Sequence, residues 1–333
     1  MTAVRETRRV VELERFGPPR VMRWAERPTP AVGAAEVAVE VEALGVNFAD
    51  SMVRRGEYRR DQPLDFTPGF EAVGRVVRSA PGAPPEGSRV AVFTENGRGY
   101  ADLLVVPAAR VWEVPEDVPA AVVAALLIQG ATAWYSLHRF GAVRAGETVL
   151  VNAGAGGVGS LAIQLTRAAG ATAIATASTA AKLEIARGHG AREALLADPA
   201  TLAEQVRAAT GGRGVDIVVD GVGGELVAPG MKALAFHGRY VVAGAASQDP
   251  GTYDVRGLMP RNQSIHGFVI ARIIERDPGE PRRAIEALLA AWRAGDLRPT
   301  YEVLPPAEIV AAHERLEARE ATGKMVIDMT VGG

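Results

Sequence analysis

The sequence predicts an α/β protein of two domains, one a β-rich irregular barrel and the other a doubly wound parallel sheet. Three observations carry this expectation. The first 115 residues or so break into short β-prone runs separated by glycine and proline. From Thr148 to about Ala245, strand patterns alternate with helix patterns. The turn between the first of those strands and its helix reads Gly154-Ala155-Gly156-Gly157-Val158-Gly159. The length agrees, since 333 residues correspond to about two domains.

In the N-terminal part, Val37–Val41 alternates and Val73–Val77 is a β-rich run after Pro68-Gly69. Arg89–Phe93 and Leu103–Val106 are further short strands, spaced as in a barrel-like domain. The character changes near Val118, where Ala120–Ile128 and then Thr132–Phe140 read as helices. Strand Thr148–Asn152 leads to helix Gly157–Ala169, whose Val158, Leu161, Leu165 and Ala168 share one face. Strand Thr172–Thr176 leads to helix Ala180–Arg187, and helix Thr201–Ala209 leads to strand Val215–Asp220. Helix Glu225–Ala235 leads to strand Arg239–Ala243. Such alternation means a parallel sheet covered by helices on both faces. After Ile265 the pattern is mixed, with helix Pro281–Arg293 and a closing strand Lys324–Met329 expected to rejoin the first domain.

Composition narrows the function classes. Hydrophobic residues make up 48% and charged residues 23%, an ordinary globular balance that can bury a large core. The absence of cysteine excludes disulfides and every thiolate metal site. A net charge of −2 argues for neither a nucleic acid nor a membrane surface as partner. No apolar signal-peptide segment follows Arg5–Arg9, and the longest apolar run, Val118–Ile128, is interrupted by Pro119 and far short of a bilayer span. The expectation is a soluble, cytoplasmic protein.

The glycine loop is G-x-G-x-x-G with a strand before it, a helix after it and a βαβ unit around it. In that setting Gly154 makes the tight turn, Gly156 admits a pyrophosphate, and Gly159 lets helix and strand pack closely. The helix N-terminus then offers N–H groups and positive dipole to the anion. A carboxylate about 20 residues on, bonding the ribose hydroxyls, would favour NAD. Here the second strand ends Ala175-Thr176-Ala177-Ser178-Thr179, with no acid before Glu184 and with Lys182 at a helix start. Ser178 and Lys182 suit the 2′-phosphate of NADPH, which a carboxylate would repel. Read only as local structure, the same residues are a helix cap and a solvated lysine.

Further motifs add to the loop. Gly45-Val46-Asn47-Phe48-Ala49-Asp50 is followed by Arg54, Gly56 and Tyr58, then by Pro68-Gly69-Phe70-Glu71 and Gly74. Gln129-Gly130-Ala131-Thr132-Ala133 precedes the loop, and Gly221-Val222-Gly223-Gly224, Gly267 and Thr322-Gly323-Lys324 follow it. Over almost its whole length the chain resembles the zinc-independent quinone oxidoreductase group of the medium-chain dehydrogenase/reductase superfamily. It is also similar to the vesicle amine transport protein branch of that group. The resemblance implies a GroES-like β-rich catalytic domain over 1–128 and 266–333. It implies a Rossmann domain over 129–265, an active site in the cleft and a homodimer. It places cofactor contacts at Asn47, Thr132, Gly154, Gly156, Gly157, Val158, Gly159, Ser178, Lys182, Val222, Gly244, Phe268 and Lys324.

Zinc alcohol dehydrogenases of the superfamily carry Cys, His and Cys or Asp at three ligand positions, which here read Asn47, Phe70 and Gln129. None of the five histidines forms a ligand-spaced pair, and each is expected on the surface or in a loop. No metal is expected. Hydride addition to a simple ketone makes an alkoxide, which needs a Lewis acid or a strong proton donor. Quinones give phenolate-like anions instead. With water (pKa near 15.7) standing in for an alcohol and a phenol near 10, the weaker base saves roughly 8 kcal/mol of stabilisation. Quinones or other conjugated carbonyls are therefore the expected substrates. Tyr58, Asn47 and Gln129 are the candidate catalytic residues, Tyr58 as the donor near the carbonyl and Asn47 as an orienting group, while Asp50 braces the backbone.

Relatives often carry Tyr-Arg after the third Rossmann strand, where this chain has Ala197-Asp198, so Ser178 and Lys182 carry the NADPH preference alone. Two other readings compete. One is an enoyl-thioester or alkenal reductase in a biosynthetic pathway, for which arginines 54, 55, 59 and 60 would be a basic patch, unless they are simply a solvated face. The other is a non-catalytic nucleotide- or RNA-binding protein, which the neutral charge and the lack of a stacking motif oppose.

Overall fold

Valine-rich runs pair into sheets through most of the N-terminal part, in a computed structural model that describes residues 4–94, 97–277 and 279–331. Strand β1 (Thr7–Leu13) pairs antiparallel with β2 (Met22–Pro28), two strands that the sequence pattern did not single out. The long β3 (Glu36–Val46) extends the expected Val37–Val41 run at both ends and runs into helix α1 (Phe48–Arg55). Strands β4 (Glu71–Arg78), β5 (Arg89–Phe93), β6 (Leu103–Pro107) and β7 (Val111–Glu113) follow, then helix α2 (Ala120–Leu126).

The two helices expected between 120 and 140 are divided differently. The chain bends at Leu127, whose ψ is −87°, and α3 (Ile128–Trp134) runs straight through the expected gap into a π-helical turn, Tyr135–Phe140. The break frees the Ile128 N–H, which the Glu71 carboxylate accepts at 2.6 Å. A tertiary partner, not a local stop signal, places this boundary.

Strand and helix then alternate: β8 (Thr148–Val151), α4 (Gly157–Ala168), β9 (Thr172–Ala177), α5 (Ala180–Gly188), β10 (Glu193–Leu196), α6 (Leu202–Ala209), β11 (Val215–Asp220), α7 (Val227–Ala233), β12 (Leu234–Val242) and β13 (Ser264–Gly267). All six strands are parallel, in the order β10-β9-β8-β11-β12-β13. The helix expected over Glu225–Ala235 is shorter, because Gly223 and Gly224 take positive φ and open it with a 3₁₀ turn. Helices α8 (Ile270–Arg276) and α9 (Glu280–Ala294), strand β14 (Tyr301–Leu304), helix α10 (Ile309–Glu317) and strand β15 (Lys324–Asp328) complete the chain. The second sheet runs β14-β15-β3-β4-β5-β7, with β6 on β3.

Two compact units result. One comprises Met1–Ile128, Ala271–Ile285 and Tyr301–Gly333, the other Gln129–Ile270 and Glu286–Thr300. Residues 266–270 and 286–300, expected with the N-terminal unit, belong to the second. There β13 pairs with β12, and the Arg298 N–H donates to Gln164 Oε1 on α4 at 2.8 Å. Val39, Leu44, Val90 and Ile327 lie in the core of the first unit, and Leu150, Val206, Val218 and Tyr240 in that of the second.

Candidate active site and cofactor cradle

In the first unit the site grows from the N-terminus of α1. Asp50, in its first turn, accepts the Asn47 backbone N–H at 2.8 Å and the Gly69 N–H at 2.6 Å, so one carboxylate ties two loops. Burial pushes its carboxyl up to about 6, against the pull of those two amides, of Lys324 and of the Tyr100 hydroxyl. Tyr100 also bonds His313 Nε2 at 3.1 Å. His313 lies fully buried on α10, contrary to the expectation of a surface or loop histidine, because the tyrosine hydroxyl gives one of its ring nitrogens a partner. Its other nitrogen, Nδ1, has none among the described residues.

Asn47 is 4% exposed, and both ends of its side chain are engaged. Its Nδ2 donates to Glu71 Oε1 at 2.7 Å, and its Oδ1 accepts from Lys324 Nζ at 2.7 Å. Lys324 also bonds Glu71, and both are buried. Glu71 carries weight that sequence reasoning did not assign it. The available signal was a charged residue opening a β-rich run.

Tyr58 packs against Phe70, with ring centroids 5.0 Å apart, and stacks on Phe66 at 6.1 Å. Together with Arg59, Thr94, Arg110, Arg272 and Glu275 these rings line a recess of about 380 Å³ that includes its open mouth. Among the described residues the Tyr58 hydroxyl has no hydrogen-bond partner. Burial raises its pKa above the ordinary phenol value; Arg272 pulls it down, while Asp50 and Glu275 push it up further. Tyr58 is thus a neutral donor at physiological pH. Of arginines 54, 55, 59 and 60, Arg59 alone lines the recess, 4.7 Å over the Phe66 ring. Arg54, expected on a solvated face, is fully buried because it bonds the Gly17 carbonyl and Glu317.

In the second unit the loops after β8, β9, β11, β12 and β13 all leave the carboxyl edge of the parallel sheet. They carry Gly154–Gly159, Ser178, Val222, Gly244 and Phe268 respectively. Strand order reverses between β8 and β11, the place where such sheets take their ligands. A Cβ added at Gly154 would meet the Ala175 Cβ at 2.7 Å, and one at Gly159 the Ala153 carbonyl at 2.2 Å, so the loop packs tightly as the motif requires. Thr179 caps α5 by accepting the Lys182 N–H at 3.3 Å, which sets Ser178 and Lys182 on one helix start. Phe268 stacks on Phe140 at 4.7 Å. Thr132 is buried, its carbonyl accepting the Ser136 hydroxyl at 2.7 Å. Beneath the loops Asp220 accepts from Asn152, from the Val222 and Gly223 amides and from Tyr240.

Gln129 opens the second unit. Its Oε1, which has no hydrogen-bond partner among the described residues, lies 1.7 Å from where a Cβ of Gly157 would stand, so it fills the space beside that glycine.

A two-unit chain with a Rossmann sheet, a glycine loop and a β-rich partner unit is the build of a nicotinamide-dependent oxidoreductase. Residues 33–116 match the model of the alcohol dehydrogenase GroES-like domain, and residues 157–289 that of the zinc-binding dehydrogenase family. The chain is 31% identical to Quinone oxidoreductase-like protein 2 of Bos taurus, over 91% of this chain and 88% of that one. It is 33% identical to part of the phthioceranic/hydroxyphthioceranic acid synthase of Mycobacterium tuberculosis, covering 90% of this chain but only 14% of the synthase. A mycobacterial protein solved with NADPH superposes with a TM-score of 0.88 at 33% identity, over 96% of this chain and 99% of that one. The chain belongs to the medium-chain dehydrogenase/reductase superfamily, in its quinone oxidoreductase group.

The zinc in that family description has no fitting donor set at the three ligand positions. Asn47 is committed to Lys324 and Glu71, Phe70 is a hydrocarbon ring against Tyr58, and the Gln129 oxygen packs on Gly157.

Proposed function

We propose that this protein reduces conjugated carbonyl compounds, quinones foremost, by zinc-independent hydride transfer from NADPH. The carrying observation is the Tyr58 hydroxyl, a neutral phenol without a hydrogen-bond partner among the described residues, in the lining of a recess with two phenylalanine rings. Phe66 and Phe70 give the recess an apolar wall, and Tyr58 offers one hydrogen bond to the oxygen that gains charge. One donor suffices for a phenolate or enolate, not for an alkoxide.

NADPH fits the second unit on its own geometry, and the NADPH bound to the mycobacterial neighbour supports the choice. Gly156 would admit the pyrophosphate at the N-terminus of α4, in a turn shaped by Gly154 and Gly159, and Ser178 and Lys182 would meet the 2′-phosphate. Bound there, the dinucleotide supplies the hydride. A second reading, reduction of an enoyl thioester, is supported by the likeness to the solved CurK enoyl reductase, 25% identical over 97% of this chain with a TM-score of 0.86.

The test is NADPH oxidation with a quinone, a simple enone and an enoyl thioester, in wild type and Tyr58→Phe, with and without a chelator. Quinone turnover should survive the chelator. Loss of a charge-stabilising donor costs up to about 10²–10³-fold, so Tyr58→Phe should lower kcat/KM with the enone and less with the quinone. Turnover of the thioester alone would select the second reading. A chelator-sensitive rate would remove zinc independence.

A further inference from the structure

Asn47, Glu71 and Lys324 stand together because of sheet register. Met325 of β15 pairs with Val46 of β3, which brings Lys324 beside Asn47. Ala72 of β4 pairs with Leu44, which brings Glu71 beside Gly45, where any Cβ would lie 2.2 Å from the Glu71 carboxylate. Lys324 is only 1% exposed and Glu71 fully buried, so the ammonium and carboxylate neutralise each other out of water.

The chemistry dictates how the Asn47 amide lies between them. An ammonium has only hydrogens to give and an ionised carboxylate only lone pairs. The Asn47 oxygen therefore faces Lys324 and its nitrogen faces Glu71, as observed. A flipped amide would set donor against donor and acceptor against acceptor. One Nδ2 hydrogen remains unused by this pairing.

We infer that Lys324 is a positioning residue that acts through Asn47, turning that side chain into a hydrogen-bond donor that cannot rotate into an acceptor. A donor so held fits a carbonyl or oxyanion oxygen, not a hydroxyl or amide hydrogen. Lys324, expected from the sequence to touch the cofactor, works instead from behind the site. The inference rests on the reading that Asn47 takes part in turnover.

A double-mutant cycle tests it. Asn47→Ala, Lys324→Met and the double variant are compared with wild type for NADPH-dependent quinone reduction and for NADPH affinity by fluorescence titration. Because Lys324→Met strands a buried carboxylate, Lys324→Met/Glu71→Gln serves as the charge-neutral version should the single variant not fold. Asn47→Ala and Lys324→Met should each lower kcat/KM about tenfold, as for one charge-assisted hydrogen bond. The double variant should be no worse than Asn47→Ala alone. Losses that multiply to about a hundredfold would overturn positioning through Asn47. So would an NADPH affinity that falls on Lys324→Met even in the Asn47→Ala background, the mark of direct cofactor contact. If Asn47→Ala turns over like wild type, the reading of Asn47 itself falls, and that outcome is distinct from the other two.

Discussion

At the residue scale, the most consequential side chains are buried titratable ones. His313 is fully buried, and that burial, with Arg54 and Arg55 nearby, drives its pKa to about 3. It is neutral when folded and titrates near 6.5 when unfolded. The folded state thus gains from His313 above pH 6.5 and loses that gain as pH falls toward 3, up to about 5 kcal/mol in all. Asp50 has the opposite sign. Its carboxyl is held up to about 6, so it favours folding when protonated and loses that contribution as pH rises from about 4 to 6. Between pH 7 and 5 the histidine costs about 2 kcal/mol and the aspartate returns somewhat less. His313→Gln should remove the histidine part, so its urea midpoint should fall less than that of wild type on going from pH 7 to 5. Parallel behaviour of the two proteins would show that His313 takes up a proton as readily when folded as when unfolded, against the depressed value.

At the element scale, we propose that α5 sets which dinucleotide the second unit prefers. Its N-terminus follows the carboxyl end of β9, with Thr179 as cap and Lys182 in the first turn. If Lys182 meets a 2′-phosphate, Lys182→Ala should weaken NADPH by about tenfold or more and leave NADH nearly unchanged. Titration of both dinucleotides against both proteins separates this from a loss of helix stability, which would weaken the two equally. Elements are also where the sequence was most readable. The strands at Arg89–Phe93 and Val215–Asp220 fall where periodicity sets them, and α4 begins at Gly157 as the glycine loop requires. The helix break at Leu127 was not readable, because the amide it frees is held by Glu71, far back in the chain.

At the scale of the whole molecule, the parallel sheet ends in β13, an edge strand of only four residues. Near it in the chain Val255, Met259, Ile265 and Val269 are exposed, which is unusual for an unprotected edge. We propose that a second copy of the chain pairs with this edge. Light scattering at micromolar concentration should give twice the 35.0 kDa of the chain, and Ile265→Lys should shift it toward a single copy. A wild-type mass of one chain would remove the proposal.

Some properties of this protein follow from the sequence alone. The alternation of strands and helices, the glycine loop and the absence of cysteine depend on residues close together in the chain or on composition. Local backbone preference and side-chain period are enough to read them. The partners of Asn47 were decided only by the tertiary structure, since Lys324 lies 277 residues away and Glu71 24. So were the burial of His313 against Tyr100, 213 residues off, and the packing of Gln129 on Gly157. A residue type states what a side chain can donate or accept. Which partner it meets depends on strand register and on the exclusion of water, and both arise only when distant segments pack together.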